Sequence, residues 1–301
     1  MATTHDSGLA ADFLPPRDTL VRSIMKFAQA NILGTTGAII VLIMILMAIF
    51  ANLITQYDPT ANDFGSMLEA PSYEHLLGTD QYGRDLLSRL LFGARTALLV
   101  GFVSAFIGST VGLLLGVGSA YFGGWIDLAL QRVMDVFMAF PLIILALALV
   151  SVGDALPFGD TFKVILAITI PFVPRCARVV RSSALAIREL PYIDAARACG
   201  FSHARVIVRH MLPNVLAPYL VVLTASVGQA ILIEASLSYL GLGVQEPTPA
   251  WGLMLRGGAE EYAESAPWVA IFPGIAISLG VFGFNLFGDA LRDALDPKLR
   301  Q

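Results

Sequence analysis

The sequence predicts an all-α polytopic membrane protein with six transmembrane helices. Of its 301 residues, 56% are hydrophobic and only 14% are charged, and the mean hydropathy is +0.72. A helix that crosses the hydrocarbon core needs about 20 mostly apolar residues, because lipid offers no partner to unpaired backbone groups. Five stretches without a charged residue supply spans of this kind: 27–57, 96–126, 136–153, 211–233 and 265–288.

A sixth span is predicted at residues 162–181, although its uncharged part is short and contains Pro171 and Pro174. Arg175, Arg178 and Arg181 are spaced by three, so they would share one helix face and extend toward the cytoplasmic surface. The six predicted spans are residues 33–54, 96–119, 134–153, 162–181, 214–240 and 268–290.

The distribution of basic residues predicts that both termini are cytoplasmic. With this orientation 14 of the 19 lysines and arginines lie inside and 5 outside, in agreement with the positive-inside rule. Residues 1–31 then form a cytoplasmic segment and residues 32–301 the transmembrane domain. Within that domain, residues 58–95 form an outer loop and residues 182–213 a cytoplasmic loop.

Several other classes of protein are disfavoured. The first apolar run is too long for a signal peptide and should remain as an anchor. The two cysteines have neither the spacing of a disulfide framework nor that of a zinc site, and we predict no metal site. A net charge of −4 gives no indication of nucleic-acid binding.

Two further segments bear on the packing of the second predicted span. Residues 85–92 have apolar positions at helical spacing, which predicts a helix on the outer membrane surface that precedes the second span. Gly108, Gly112 and Gly116 form a smooth stripe that another helix backbone can approach closely. That helix could belong to this chain or to a second membrane subunit.

The densest polar segment, residues 188–214, is predicted to form two short helices. Pro191 suits the first turn of one helix, Gly200 a left-handed stop, and Ser202 the cap of a second helix that ends at Pro213. Alanines on the first helix would let another protein surface approach it closely. The alternative is a solvated basic loop of the kind that polytopic proteins commonly have.

The same segment resembles the signature loop of ABC importer permeases, which usually reads Glu-Ala-Ala, then Gly, then Ile-x-Leu-Pro. Asp194 replaces the glutamate and His210 the isoleucine. The resemblance implies that this loop receives the motion of a separate ATPase. The coupling residues that it implies are Glu189, Tyr192, Asp194, Ala195, Ala196, Arg197, Gly200, His210, Leu212 and Pro213.

Two further segments, residues 75–89 and 234–252, resemble the second permease subunit of dipeptide, oligopeptide and nickel importers. The fold implied is that of a type I ABC importer permease in the bacterial inner membrane. The outer-loop residues expected to dock a binding protein are His75, Gly78, Asp80, Gly83, Arg84 and Asp85.

The resemblance also implies a set of partners: a second homologous permease that forms a heterodimer, two ATPase subunits, and a periplasmic or lipid-anchored binding protein. This chain contains no phosphate-binding loop, because none of its lysines follows a glycine. We therefore expect no cofactor in this chain, and ATP and Mg²⁺ on the partner ATPases. Peptides are the expected substrate, with nickel chelates, glutathione, opines or oligosaccharides as alternatives.

A gradient-driven secondary transporter is the alternative from another class, because such proteins place ionisable groups in the membrane. Asp135 and Asp289 each have an arginine nearby in sequence, whereas Glu234 could serve outer gating, bundle hydrogen bonding or proton coupling. The residues expected to line the pathway or its gate are Ser104, Thr224, Ser226, Gln229 and Glu234.

Overall fold

A computed structural model describes residues 31–153, 157 and 159–295, and throughout these residues the regular elements are helices. Eight longer helices and two short ones succeed one another along the chain. They are α1 (Ile32–Ile54), α2 (Leu86–Phe122), α3 (Gly124–Met138), α4 (Leu142–Gly153), α5 (Asp160–Arg188), α6 (Pro191–Ala198), α7 (His203–Val206), α8 (Leu212–Tyr239), α9 (Trp251–Glu261) and α10 (Trp268–Leu295). The predicted cytoplasmic segment 1–31 lies almost entirely outside the described residues.

Four helices are long and apolar enough to cross a membrane: α1, α2, α10 and the continuous stretch His203–Tyr239 that contains α8. The pair α3 and α4 makes a fifth if it is counted as one span with a bend of 91°. The predicted all-helical membrane class is confirmed. The count of six spans stays a prediction, because α5 carries too many charged residues to be counted as a span by its composition. The orientation of the termini also stays a prediction.

The second helix begins earlier than predicted. Residues 85–92, expected as a surface helix within the outer loop, are instead the N-cap and first turns of the 37-residue helix α2. Asp85 caps this helix by accepting a hydrogen bond from the Ser88 amide, and no proline follows before Phe122. With nothing to break it, the helix is about 55 Å long, well beyond the thickness of a hydrocarbon core.

Prolines interrupt one of the predicted spans but not another. The predicted span 134–153 is broken at residues 139–141, and Pro141 precedes the first residue of α4. Pro171 and Pro174, in contrast, lie inside α5, which runs on to Arg188.

Pro213 was expected to end a short helix, and this prediction is wrong. A π-helical turn at Ile207–Met211 connects α7 to α8, and Pro213 lies in the first turn of α8. The Leu212 amide bonds to the carbonyl of Ile207, five residues back. This wider turn accommodates a residue without an amide hydrogen, so the chain continues as a helix.

The glycine stripe on α2 packs against α5 of the same chain. A Cβ atom at Gly108, Gly112 or Gly116 would lie 2.5–2.7 Å from a backbone oxygen of α5. The two helix backbones are therefore in direct contact along three turns. Of the two interpretations of the stripe, the structure supports packing within the chain.

Candidate coupling and translocation sites

The cytoplasmic segment after α5 folds as the turn chemistry of its sequence predicts. Pro191 is the first residue of α6, and Gly200 has a φ of +76° in the left-handed region. The Ser202 hydroxyl accepts a hydrogen bond of 3.4 Å from the Arg205 amide and so caps α7. We call residues 189–206 the cytoplasmic knob, after the side of the membrane on which the sequence predicts it to lie.

The knob has an inward and an outward face. Ile193 and Ala196 are buried against the rest of the chain, whereas Tyr192, Asp194 and Ala195 are exposed. Ala196, which was expected to contact the ATPase, is therefore an internal packing residue, because the helical repeat turns it to the same side as Ile193. Open space surrounds Gly200, where no atom lies within 4 Å of a built Cβ.

Contacts with the C-terminal end of α2 hold the knob in place, and no local pattern in the sequence predicts them. The Tyr121 hydroxyl and His203 Nδ1 share a hydrogen bond of 2.7 Å. The guanidinium of Arg197 stacks 5.0 Å above the ring of Tyr121, and it also bonds to Asp194 at 3.3 Å. Arg188 donates a hydrogen bond of 2.9 Å to the carbonyl of Ala120. Movement of the knob would thus be transmitted directly to α2.

His210 lies behind the knob rather than on its surface. Its ring centroid is 6.0 Å from that of Phe201 and 6.4 Å from that of Tyr192. Its Nε2 atom is buried and has no hydrogen-bond partner. Among the other predicted coupling residues, Glu189 and Pro213 are exposed and Leu212 is half-buried.

The six outer-loop residues predicted to dock a binding protein are all buried within this chain. His75 Nδ1 lies 3.0 Å from the Asp85 carboxylate, and Gly78 and Gly83 have φ values of +80° and +71°. A Cβ at Gly83 would collide with the carbonyl of Asp63. These residues shape the loop through buried contacts, and their part in docking a binding protein stays a prediction.

Arg84 and Arg89 form the charged centre of the outer loop. Arg84 bonds to Asp80 at 2.7 Å and to Glu246 at 2.6 Å, and Arg89 approaches the same two carboxylates at 3.5 and 3.4 Å. Glu246 lies 162 residues from Arg84, and the sequence analysis did not single it out.

Most of the predicted pathway residues face the interior of the bundle. Ser104 donates to the carbonyl of Ile165 at 3.2 Å, and Glu234 accepts a hydrogen bond of 2.7 Å from Ser238. Both residues and Ser226 are buried within this chain, and their place along a pathway stays a prediction. Burial of Glu234 with Ser238 supports the hydrogen-bonding role among its three interpretations.

Thr224 and Gln229 are half-buried, and only Gln229 has a charged neighbour. The Thr224 hydroxyl bonds back to the carbonyl of Leu220 at 3.0 Å, in its own helix. Gln229 accepts a hydrogen bond from Arg175 of α5.

Each of the three arginines of α5 has a polar partner. Arg181 bonds to Asp127 at 2.6 and 2.5 Å, and Arg178 contacts Asp135. Both carboxylates belong to α3. The Arg181 hydrogen bonds lower the pKa of Asp127, against the opposing effect of its burial. No cluster of three or more histidine, cysteine or acidic side chains suited to a metal occurs in the described part of the chain.

The described residues thus form an all-helical membrane bundle with an exposed knob braced against α2. Residues 108–301 match the family of binding-protein-dependent transport system inner membrane components, and residues 28–71 match the N-terminal transmembrane domain of oligopeptide transport permease C. The chain belongs to this family and is a multi-pass protein of the bacterial inner membrane.

Named relatives cover nearly the whole chain. The dipeptide transport system permease protein DppC of Alkalihalophilus pseudofirmus is 42% identical over 95% of this chain and 94% of its own. The glutathione transport system permease protein GsiD of Escherichia coli is 43% identical over 89% and 87%. The inward-facing MetNI methionine ABC transporter has the same fold, with a TM-score of 0.57, 20% identity and coverage of 69% of this chain and 96% of that chain.

Proposed function

We propose that this chain is one of two permeases of an ATP-driven importer for dipeptides and oligopeptides. Its relative DppC, 42% identical over almost the full length, is a dipeptide transport permease, and residues 28–71 match an oligopeptide permease domain. The permease forms the translocation path with a second homologous permease. A periplasmic or lipid-anchored binding protein delivers the substrate.

The cytoplasmic knob is the site where ATP chemistry acts on this chain. It presents Tyr192, Asp194 and Ala195 outward, and its contacts with Tyr121 give it a rigid connection to α2. ATP and Mg²⁺ bind to two partner ATPase subunits, so this chain itself is not an enzyme. Closure of the ATPases would draw two such knobs together and open the path toward the outside, and hydrolysis would reset it.

Glutathione is the second candidate substrate, because the relative GsiD is a glutathione permease of similar identity. Ordinary peptides are joined through α-carboxyl groups, whereas the first amide bond of glutathione is formed by the γ-carboxyl group of its glutamate. A single uptake assay separates the two substrates. The complete complex in proteoliposomes is tested for uptake of labelled dialanine and of glutathione.

We expect uptake of dialanine that requires ATP and persists when a protonophore collapses the proton gradient. Uptake that follows the gradient and ignores ATP would sink the proposal in favour of a secondary transporter. Import of glutathione without dialanine would reassign the substrate. Gly200→Trp in the same complex should abolish uptake while the ATPase subunits still co-purify and hydrolyse ATP.

A further inference from the structure

Among the three arginines of α5, Arg175 differs from the other two. Arg178 and Arg181 are neutralised by Asp135 and Asp127 of α3. Arg175 has a neutral partner, Gln229, and no carboxylate of the described residues lies within ion-pair distance of it. The last acidic residue of α3, Asp135, pairs with Arg178 and Arg132 instead. Of these three arginines, Arg175 is therefore the one whose charge no neighbouring carboxylate compensates.

This charge is exposed at a depth where lipid contact is costly. Arg175 lies six residues inside the predicted inner boundary at 181, which is about 9 Å of helix. Gln229 lies near the middle of the predicted span 214–240, about 16 Å from its outer end. An exposed guanidinium at this depth is stable where it faces water or another protein. The side of α5 that carries it therefore faces the interior of the transporter.

A cavity of about 170 Å³ adjoins Arg175 at the bend between α3 and α4. Arg175 is the one charged residue of its lining, and the other walls are apolar or aromatic. They comprise Phe137, Met138, Phe140, Leu142, Leu145 and Pro171. Small-molecule sites combine an apolar lining with a few placed polar groups in this way.

We propose that Arg175, positioned by Gln229, binds the carboxylate of the substrate during its passage between the two permeases. This inference rests on the proposed peptide substrate. A planar guanidinium can hold a carboxylate through two parallel hydrogen bonds. Every unmodified peptide ends in a carboxylate whatever its side chains are, so this contact requires no particular sequence. The adjoining apolar cavity receives the last side chain.

The test uses the complete complex in proteoliposomes, with labelled dialanine as the probe, and measures dialanine imported per ATP hydrolysed. Arg175→Gln removes the charge, Arg175→Lys keeps it, and Arg132→Gln removes an exposed charge of α3 as a matched control. We expect Arg175→Gln to lower the ratio about tenfold, the order expected for loss of a charge-assisted hydrogen bond. Arg175→Lys should keep most of the ratio, and Arg132→Gln all of it.

The outcomes separate this inference from the proposed function. Absence of dialanine uptake by the unmodified complex would count against the peptide importer itself. If the unmodified complex imports dialanine and Arg175→Gln does so with the same ratio, the carboxylate site is wrong. An equal loss in the lysine and glutamine variants, or loss of the second permease on purification, would also overturn it, because Arg175 would then serve the structure or the subunit interface.

Discussion

Glu246 accepts hydrogen bonds from both terminal nitrogens of Arg84, at 2.6 and 3.2 Å, across 162 residues of sequence. This pair ties the outer loop before α2 to the loop between α8 and α9. Arg84 is almost completely buried, and Arg89 behind it is buried too. Removal of the Glu246 charge would leave two buried guanidinium groups with Asp80 as their remaining acidic partner.

We expect Glu246→Gln to lower the stability of the permease by about 2 kcal/mol, the range for a hydrogen bond to a charged group. Cys176 is buried and Cys199 is exposed, so in a Cys199→Ser background a thiol-reactive dye reports unfolding through Cys176. Glu260→Gln is the control, since its partner Arg256 is itself half exposed. Equal unfolding temperatures for Glu246→Gln and the parent would contradict the prediction.

The same ion pair predicts a dependence on pH. Burial alone would raise the pKa of Glu246, but the hydrogen bonds from Arg84 and the charges of Arg89 and Arg84 outweigh it, and the pKa lies below its ordinary value of 4.5. A carboxyl whose pKa falls on folding stabilises the folded state above its unfolded pKa, and this stabilisation is lost as the pH falls through the folded value. The difference between parent and Glu246→Gln should therefore be full at pH 7 and shrink below pH 4.5.

The glycine stripe on α2 offers a matched pair of substitutions. A Cβ at Gly112 would lie 2.6 Å from the Val173 carbonyl and 2.8 Å from Cys176 Cβ, whereas Gly118 has no neighbour within 4 Å. Gly112→Ala should destabilise the permease by about 1–3 kcal/mol through overpacking. Gly118→Ala should be neutral or stabilising by about 0.5–1 kcal/mol, because alanine favours the helix. If Gly112→Ala and Gly118→Ala have the same unfolding temperature, α2 and α5 are not in backbone contact.

Local turn chemistry could be predicted from the sequence, and it was correct in the cytoplasmic knob. Pro191, Gly200 and Ser202 each impose a backbone geometry on their own neighbours, and so they act at the positions where they were expected. The same logic was wrong at Pro213, because a π turn that ends two residues earlier, at Met211, relieves the clash. Such a turn depends on the packing of residues 207–211 and leaves no local signature.

The outer loop shows why a motif alone does not assign a role. Asp80, Arg84 and Asp85 belong to a segment that resembles a transporter family, and such a resemblance marks residues under constraint. It does not say whether a partner or the fold imposes the constraint. The pairing of Arg84 with Glu246 shows that the fold uses this residue, and a contact over 162 residues has no periodicity to reveal it.

His210 occupies a place where the resembled loop has isoleucine. Its ring contacts Phe201 and Tyr192, and its Nε2 atom is buried without a partner. We expect His210→Phe to stabilise the permease by about 1 kcal/mol, since it keeps the ring contacts and removes an unsatisfied polar atom. His210→Ala should destabilise the permease by a similar amount, because the alanine side chain loses the contacts with both aromatic rings. The dye assay with Cys176 measures both, and a more stable alanine variant would refute the aromatic packing.

Gly200 provides the sharpest test of the coupling surface. At this residue the requirement for a positive φ can be separated from the requirement for space at an ATPase contact. Its φ of +76° is costly for most residues, but asparagine tolerates this region. A Cβ at Gly200 meets no atom of this chain within 4 Å. We therefore expect Gly200→Asn to change the stability by no more than about 0.5 kcal/mol, as exposed substitutions usually do. If the ATPase lies against this glycine, the added side chain should reduce uptake severalfold while ATP hydrolysis persists.

Gly124 supplies the control for that experiment. It also has a positive φ, +56°, and open space around it, yet it lies outside the knob at the start of α3. Gly124→Asn should leave both uptake and hydrolysis unchanged. If both asparagine variants keep the uptake of the parent, the ATPase contact lies elsewhere on the knob. If both lose uptake to the same extent, the substitutions share an effect on folding. A loss confined to Gly200→Asn requires a surface outside this chain that approaches the glycine closely.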